Sequence, residues 1–223
     1  MNLEIILFYV ACFIIYSIIG WLMETTLIFI DTKKWVDRGF LIGPYCPIYG
    51  FGAVTMILYL TQYKDNILTV FILGVVTCSI LEYLTSYFME VLFKTRWWDY
   101  SNHKFNLNGR ICGQNSLLFG VGGLVIIYIT QPIITKLLSS IPTTIFNITT
   151  IIFLIIMIID EILSLNIVNK FKHTLTTVDL RKDSTQEFAK AVHETLAKNR
   201  KTFQKRLLQA YPNLEPHLKK YKK

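Results

Sequence analysis

The stretch IILFYVACFIIYSIIGWLM, residues 5–23, runs nineteen positions without a charge. At about 1.5 Å per helical residue it is long enough to cross a hydrocarbon core of about 30 Å. Working outward, residues 39–63 and 111–135 add twenty-five uncharged positions each, and residues 137–159 add twenty-three. Residues 67–93 form a further run broken only by Glu82 and Glu90, and a carboxylate that faces other protein does not disqualify a span. The expected fold is an all-α, polytopic membrane bundle of five transmembrane helices. The whole chain agrees: 223 residues that are 52% hydrophobic, 14% aromatic and 17% charged, with mean hydropathy +0.43, are too apolar for an ordinary soluble domain. With 11 Gly, 6 Pro and 4 Cys, the chain fits neither disorder, nor collagen-like repetition, nor a disulfide-stapled secreted module.

Orientation follows from the basic residues in the short connections. Lys33, Lys34 and Arg38 follow the first span and Lys94, Arg96, Lys104 and Arg110 follow the third, whereas the alternate connections carry only Lys64 and Lys136. The richer set belongs in the cytoplasm, which puts the N-terminus outside. The leader MNLEII has no basic n-region and no small-residue cleavage site follows it, so the first helix is expected to remain in the protein. Residues 1–168 then make the transmembrane bundle and residues 169–223 a cytoplasmic tail of about +9, against about −1 for the bundle and +8 overall. In the tail, Ser184 and Glu187 form a capping box, Pro212 ends the pattern, and Phe188, Val192, Leu196, Phe203, Leu207 and Tyr211 make one apolar stripe. An amphipathic helix over 184–211 is expected, lying on anionic membrane lipid or docking a cytoplasmic protein. No motif there supports binding to nucleic acid.

Two halves of the bundle resemble one another. Gly39, Gly43, Gly50 and Gly52 are matched seventy residues later by Gly109, Gly113, Gly120 and Gly122. The expectation is two helix-hairpin repeats, 5–60 and 67–135, followed by a fifth helix; ordinary close packing of small residues is the alternative source of the match. Pro44 and Pro47 make a continuous helix before residue 47 unfavourable, so residues 39–47 are expected to be irregular, with freed backbone groups that must face protein or water.

Five acids fall toward one side of the bilayer: Glu24, Glu82, Glu90, Asp160 and Glu161. Glu82 and Glu90 lie roughly 80° apart around one helix, so both can face one polar vestibule. An ionised carboxylate in the bilayer centre costs about 2.5 to 3.5 kcal/mol on insertion scales, which calls for a partner, a proton or water. Arg38, Arg96 and Arg110 are the candidate partners, and for Glu24 and Glu82 a buried structural pair and direct ligand or proton handling both stand open. Glu90, Asp160 and Glu161 are expected to be interfacial and solvated. In RWWDY, residues 96–100, the rings of Trp97, Trp98 and Tyr100 are either interfacial anchors or a cover over a bound substrate, with Asp99 holding Arg96 or Arg110.

Other chemistry finds no signature. There is no G-x-x-x-x-G-K-[ST] loop, so ATP hydrolysis would need a separate ATPase. Cys12, Cys46, Cys78 and Cys112 form no C-x-x-C pair, His103, His173, His193 and His217 form no metal spacing, and no cofactor or metal is expected. No hydrolase nucleophile motif is present either.

The strings YSIIGWLMET (16–25), RGFLIGPYCPIYGFGA (38–53), LEYLTSYFMEVLF (81–93) and RWWDYSNHKFNLNGRIC (96–112) resemble the ABC-transporter type IV membrane family of Gram-positive bacteria. The resemblance covers residues 8–165 and implies a multi-pass protein of the bacterial plasma membrane, named for transport, with no substrate specified. The leading expectation is a permease-type membrane transport subunit. Its substrate-binding vestibule faces the cytoplasm and is drawn from Glu24, Arg38, Glu82, Glu90, Trp97, Trp98, Asp99 and Arg110. Five helices are few for a complete pathway, so a homodimer or a partner subunit is expected. The alternatives are a non-transporting scaffold or regulator that recruits a cytoplasmic partner through the basic tail, and an intramembrane lipid-modifying enzyme using Glu24 or Glu82 as general base.

Overall fold

The computed structural model describes residues 2–33, 39, 41–93 and 98–177, without the side chains of 32, 93 and 167–177. Arg38, Arg96, Trp97 and the tail helix expected at 184–211 lie outside the described residues. Among those described there are helices and no strand. Helix α1 is Leu3–Thr32, α2 Pro47–Leu60, α3 Ile67–Phe93, α4 Gly113–Val125, α5 Gln131–Ser139 and α6 Thr143–Thr177. A 3-10 turn, Thr61–Tyr63, ends α2, and a π turn, Ile126–Thr130, joins α4 to α5.

Among the described residues, four helices are long and apolar enough to cross a membrane: Leu3–Asp31, Ile67–Leu92, Gly113–Ser139 and Thr143–Asn166. Four of the five expected transmembrane helices are among these, and the run 39–63 is not. Within the run 39–63 the segment before Pro47 is irregular, as expected, and the helix that follows, α2, has only 14 residues, about 21 Å. Pro47 stands in its first turn, where a missing N–H costs nothing, and the chain before it bends through residues 41–46. The π turn sits just before Pro132, whose ring would clash with the carbonyl four residues back in a regular helix; the widened turn relieves that clash. The break expected at Lys136 falls later, at Ser140–Pro142.

The helices pack as two hairpins, α1 on α2 and α3 on α4, with α2 against α3 between them and α6 leaning on α1 and α3. Small residues set the approach. A Cβ on Gly50 would overlap the Ser17 side chain and the Phe13 carbonyl, and one on Gly120 would sit 2.6 Å from the Phe71 ring and 2.7 Å from Val75. Gly50 and Gly120 are seventy residues apart, and their partners, Phe13 and Ser17 against Phe71 and Val75, are fifty-eight apart. Gly39 and Gly109, also seventy apart, both take positive φ, 104° and 68°, which an L side chain rarely adopts. The same spacing of fifty-eight relates Glu24 to Glu82. Where the two hairpins meet, Met56, Leu60, Val70, Cys78 and Ile127 form one buried cluster, with Leu60 and Val70 wholly enclosed. The outward faces of α3 and α6 stay apolar and exposed, as at Ile72, Ile80, Ile152 and Ile159, as a lipid-facing surface requires.

Candidate functional site

The acids of the bundle share one end, and each is held differently. Gly20 and Glu24 lie four residues apart on one face of α1. A side chain at 20 would overlap the ring of Tyr49, so the glycine lets that ring lie along α1 and its hydroxyl donates to Glu24 Oε1 at 2.5 Å. Tyr49 comes from the first full turn of α2, so the end of α1 and the start of α2 are tied at this point.

Glu82 projects from α3 into the same region and is only 8% exposed. Tyr100 donates its hydroxyl to Glu82 Oε1 at 3.1 Å, and Glu82 Oε2 is buried with no hydrogen-bond partner among the described residues. Glu24 lies close enough for its charge to act on Glu82 and on Tyr100. Burial, followed by the charge of Glu82, pushes the Tyr100 phenol well above the ordinary tyrosine value, so it remains a hydroxyl donor at neutral pH. Tyr100 is placed by its own loop, where its N–H donates to the Gly109 carbonyl at 2.8 Å. The Trp98 indole N–H donates to the Arg110 carbonyl at 3.0 Å, and Asn106 closes the turn onto Gly109 N at 3.1 Å.

Of the three candidate arginines, Arg110 alone lies among the described residues. Arg110 pairs with Glu90 at 2.9 Å, reaches Ser86 Oγ at 3.4 Å, and lies over the rings of Tyr83 and Tyr87 at 5.7 and 5.4 Å. Positions 83, 86, 87 and 90 make one face of α3, and Glu82 lies at its edge, one turn before Ser86. Glu90 is thus ion-paired and four-fifths buried, and Glu82 takes its hydroxyl donor from Tyr100. Asp99 is exposed and accepts from Ser101 N at 2.9 Å and Ser101 Oγ at 2.5 Å, which caps its own turn.

Asp160 corrects the expectation most strongly. It was expected at the interface in solvent, yet it is 7% exposed. Its carboxylate accepts from Ile42 N at 2.9 Å, Gly43 N at 2.7 Å, the Tyr45 hydroxyl at 2.7 Å and Ser164 Oγ at 3.0 Å. Cys46 N completes the seating of this bend on Ser17 O at 2.9 Å. The bend before α2 thus has its N–H groups met by one acid from α6, as a non-helical backbone at membrane depth requires. Tyr49 and Tyr45 were the residues not singled out from sequence. The available signal was a tyrosine on either side of Pro47, offering hydroxyls at the depth of the acids.

All four cysteines are free and buried. Among the described residues no group of three or more His, Cys, Asp or Glu side chains is placed to hold a metal ion.

No curated protein and no solved structure matches the chain. A family model described as "Putative ABC-transporter type IV" matches residues 11–165. That interval runs from α1 through the membrane part of α6 and contains every side chain of the two carboxylate sites and of the Asp160 clamp. The chain belongs to this ABC-transporter type IV family and is a multi-pass membrane protein.

Proposed function

We propose that the chain is a permease-type membrane transport subunit, with Glu24 and Glu82 lining a polar vestibule that opens to the cytoplasm. The observation that carries this reading is the convergence of two carboxylates, one from each hairpin, near enough for their charges to interact, with one oxygen of Glu82 buried and unmet among the described residues. An ionisable group left in this state inside a membrane bundle is costly and marks a working site. The basic connections and tail favour their end of the bundle as cytoplasmic. Because α1 and α3 both bring their C-terminal parts to it, α2 with the bend before it and the turn after it would return the chain between them, leaving the N-terminus outside. Coupling to ATP would need a separate ATPase, and a second copy or a partner subunit would complete the pathway. The basic tail would meet anionic plasma-membrane lipid or that partner.

The test uses vesicles reconstituted with the full chain and loaded separately with radiolabelled methylammonium, guanidinium, mixed amino acids or inorganic phosphate. At least one solute should leave faster than from protein-free vesicles, and Glu82→Gln should remove the excess without lowering the amount of folded protein. Faster release that survives Glu82→Gln would remove Glu82 from the pathway, and no excess for any solute with the purified chain and its co-purifying partners would favour a non-transporting scaffold.

A further inference from the structure

The connection from α3 to α4 carries an apolar side chain that the fold does not bury. Phe105 is 90% exposed and sits at φ 53°, a left-handed backbone that a bulky residue rarely takes. With His103 and Lys104 of its own turn, and Gln114 and Leu117 of α4, it borders a groove of about 700 Å³, within the size range of small-molecule sites. We propose that this groove holds the headgroup of an anionic phospholipid whose acyl chain lies along the exposed face of α4. The inference needs only that α4 begins a membrane span, and it is independent of the permease reading.

Depth, continuity and charge select this occupant. Gly113 opens both α4 and the span Gly113–Ser139, so the groove lies at the mouth of the span, at the level of the headgroups. From there the lining runs on into the lipid-facing surface. Gln114, Leu117, Val121 and Val125 recur along α4 at steps of three and four, which puts them on one side of the helix, and all four are exposed. Leu117 to Val125 rises about 12 Å, most of the roughly 15 Å of hydrocarbon in one leaflet. An acyl chain against that stripe brings its headgroup beside Phe105 and Lys104. The polar side of the groove suits an anion: Lys104 supplies an ammonium and His103 a ring N–H. Asp99, the acid of the same connection, does not line the groove and accepts from Ser101. The chain's own tail, at about +9 over residues 169–223, has the sign of Lys104 and is no complement to it. An apolar ring beside a basic residue is also the composition that settles at an anionic membrane surface.

The experiment places the full-length chain in phosphatidylcholine vesicles with a trace of phosphatidylglycerol or phosphatidylcholine, each carrying the same photoactivated diazirine on its acyl chain. After irradiation and digestion, the phosphatidylglycerol probe should label residues 102–125 several-fold more than the phosphatidylcholine probe. Unlabelled phosphatidylglycerol should displace it, and inorganic phosphate should not. Lys104→Gln should lower this labelling about fivefold, the worth of one basic residue at an anionic surface, and leave label in the basic tail unchanged. Lys104→Arg should keep it, Phe105→Ser should lower it, and Lys64→Gln, at the other end of the bundle, should not alter it. Lys104 and Phe105 are both exposed, so these variants should fold as the parent does. Equal labelling by the two probes would mean bulk lipid and overturn the proposal, as would labelling that survives Lys104→Gln or appears only in the tail. Displacement by inorganic phosphate would make the groove a site for the free anion, and displacement by polyglutamate where phosphate fails would assign it to an acidic protein partner. Either result overturns the lipid proposal.

Discussion

The two hairpins seat the same kind of glycine on the same kind of helix and then hold their carboxylates by different means. In the first, Tyr49 of the return helix reaches Glu24 directly. In the second, the residue seventy positions on is Phe119, which has no hydroxyl, and Glu82 takes its donor from Tyr100 in the connection. The connections differ accordingly. Measured between matched positions the second is twelve residues longer. It is stapled by its own bonds, such as Leu107 N to Ile111 O at 3.0 Å and Trp98 to Arg110, and α4 starts at Gly113 with no bend to support. The first connection is shorter, its helix starts only at Pro47, and the bend at 41–46 leans on Asp160 from α6. A shared packing motif thus fixes where the two acids arrive, and the donors come from different places: Glu24 takes its hydroxyl from a helix, Glu82 from a loop.

This contrast can be broken most severely at Asp160. Asp160→Ala strips the acceptor from two backbone N–H groups and the Tyr45 hydroxyl together, and should cost on the order of 3 to 5 kcal/mol, read as a lower midpoint for thermal unfolding in detergent. Among the described residues of the second hairpin no acid takes backbone N–H groups in this way, so no single acid removed there should match it. Next come the glycines that make the two hairpins alike. Gly50→Ala and Gly120→Ala should each cost about 1 to 3 kcal/mol by overpacking, with Gly50 the worse because it meets the rigid Phe13 carbonyl while Gly120 meets side chains. Gly122→Ala, with nothing within 4 Å of its Cβ, should be close to neutral.

The hydroxyls sharpen the comparison further. Tyr49→Phe and Tyr100→Phe each remove one hydrogen bond to a carboxylate and should cost about 1 to 2 kcal/mol. Hydrogen exchange should then separate them: Tyr100→Phe loosens only the 98–112 connection, whereas Tyr49→Phe loosens the junction of α1 and α2. The smallest effect concerns pH. Because the folded Tyr100 phenol is raised above its unfolded value near 10, its contribution is complete below about pH 10 and fades as pH rises through the folded value. An alkaline unfolding profile should lose part of its slope in Tyr100→Phe and keep it in Tyr63→Phe, an exposed tyrosine at the other end of the bundle.

Much of this architecture is legible in the amino-acid order, because long uncharged runs permit little but membrane helices and because Pro44 and Pro47 forbid a regular start to α2. The count of spans was not, since an uncharged run does not say how much of itself is helical, and eight residues of 39–63 precede the helix. Asp160 was misjudged for a related reason. Next to Glu161 and ahead of a basic tail it looks interfacial, and only the folded chain shows that the N–H groups freed at 42 and 43 lie within its reach. Arg110 had a readable destination in Tyr83, Ser86, Tyr87 and Glu90, which share a helix face. The tyrosines that serve Glu24 and Glu82 could not be assigned by spacing, because one is in the return helix and the other in a connection, and the repeat does not relate them.

The account rests on Glu24 and Glu82 meeting at one end of the bundle, and paired cysteines test that directly. In a chain with Cys12, Cys46, Cys78 and Cys112 replaced by Ala, Glu24→Cys and Glu82→Cys together should be joined within one molecule by a short bifunctional maleimide in native membranes, whereas Glu4→Cys with Glu82→Cys should not. Failure of the first pair to join, with both thiols shown to be reactive singly, would contradict the convergence of the two hairpins and the site built on it.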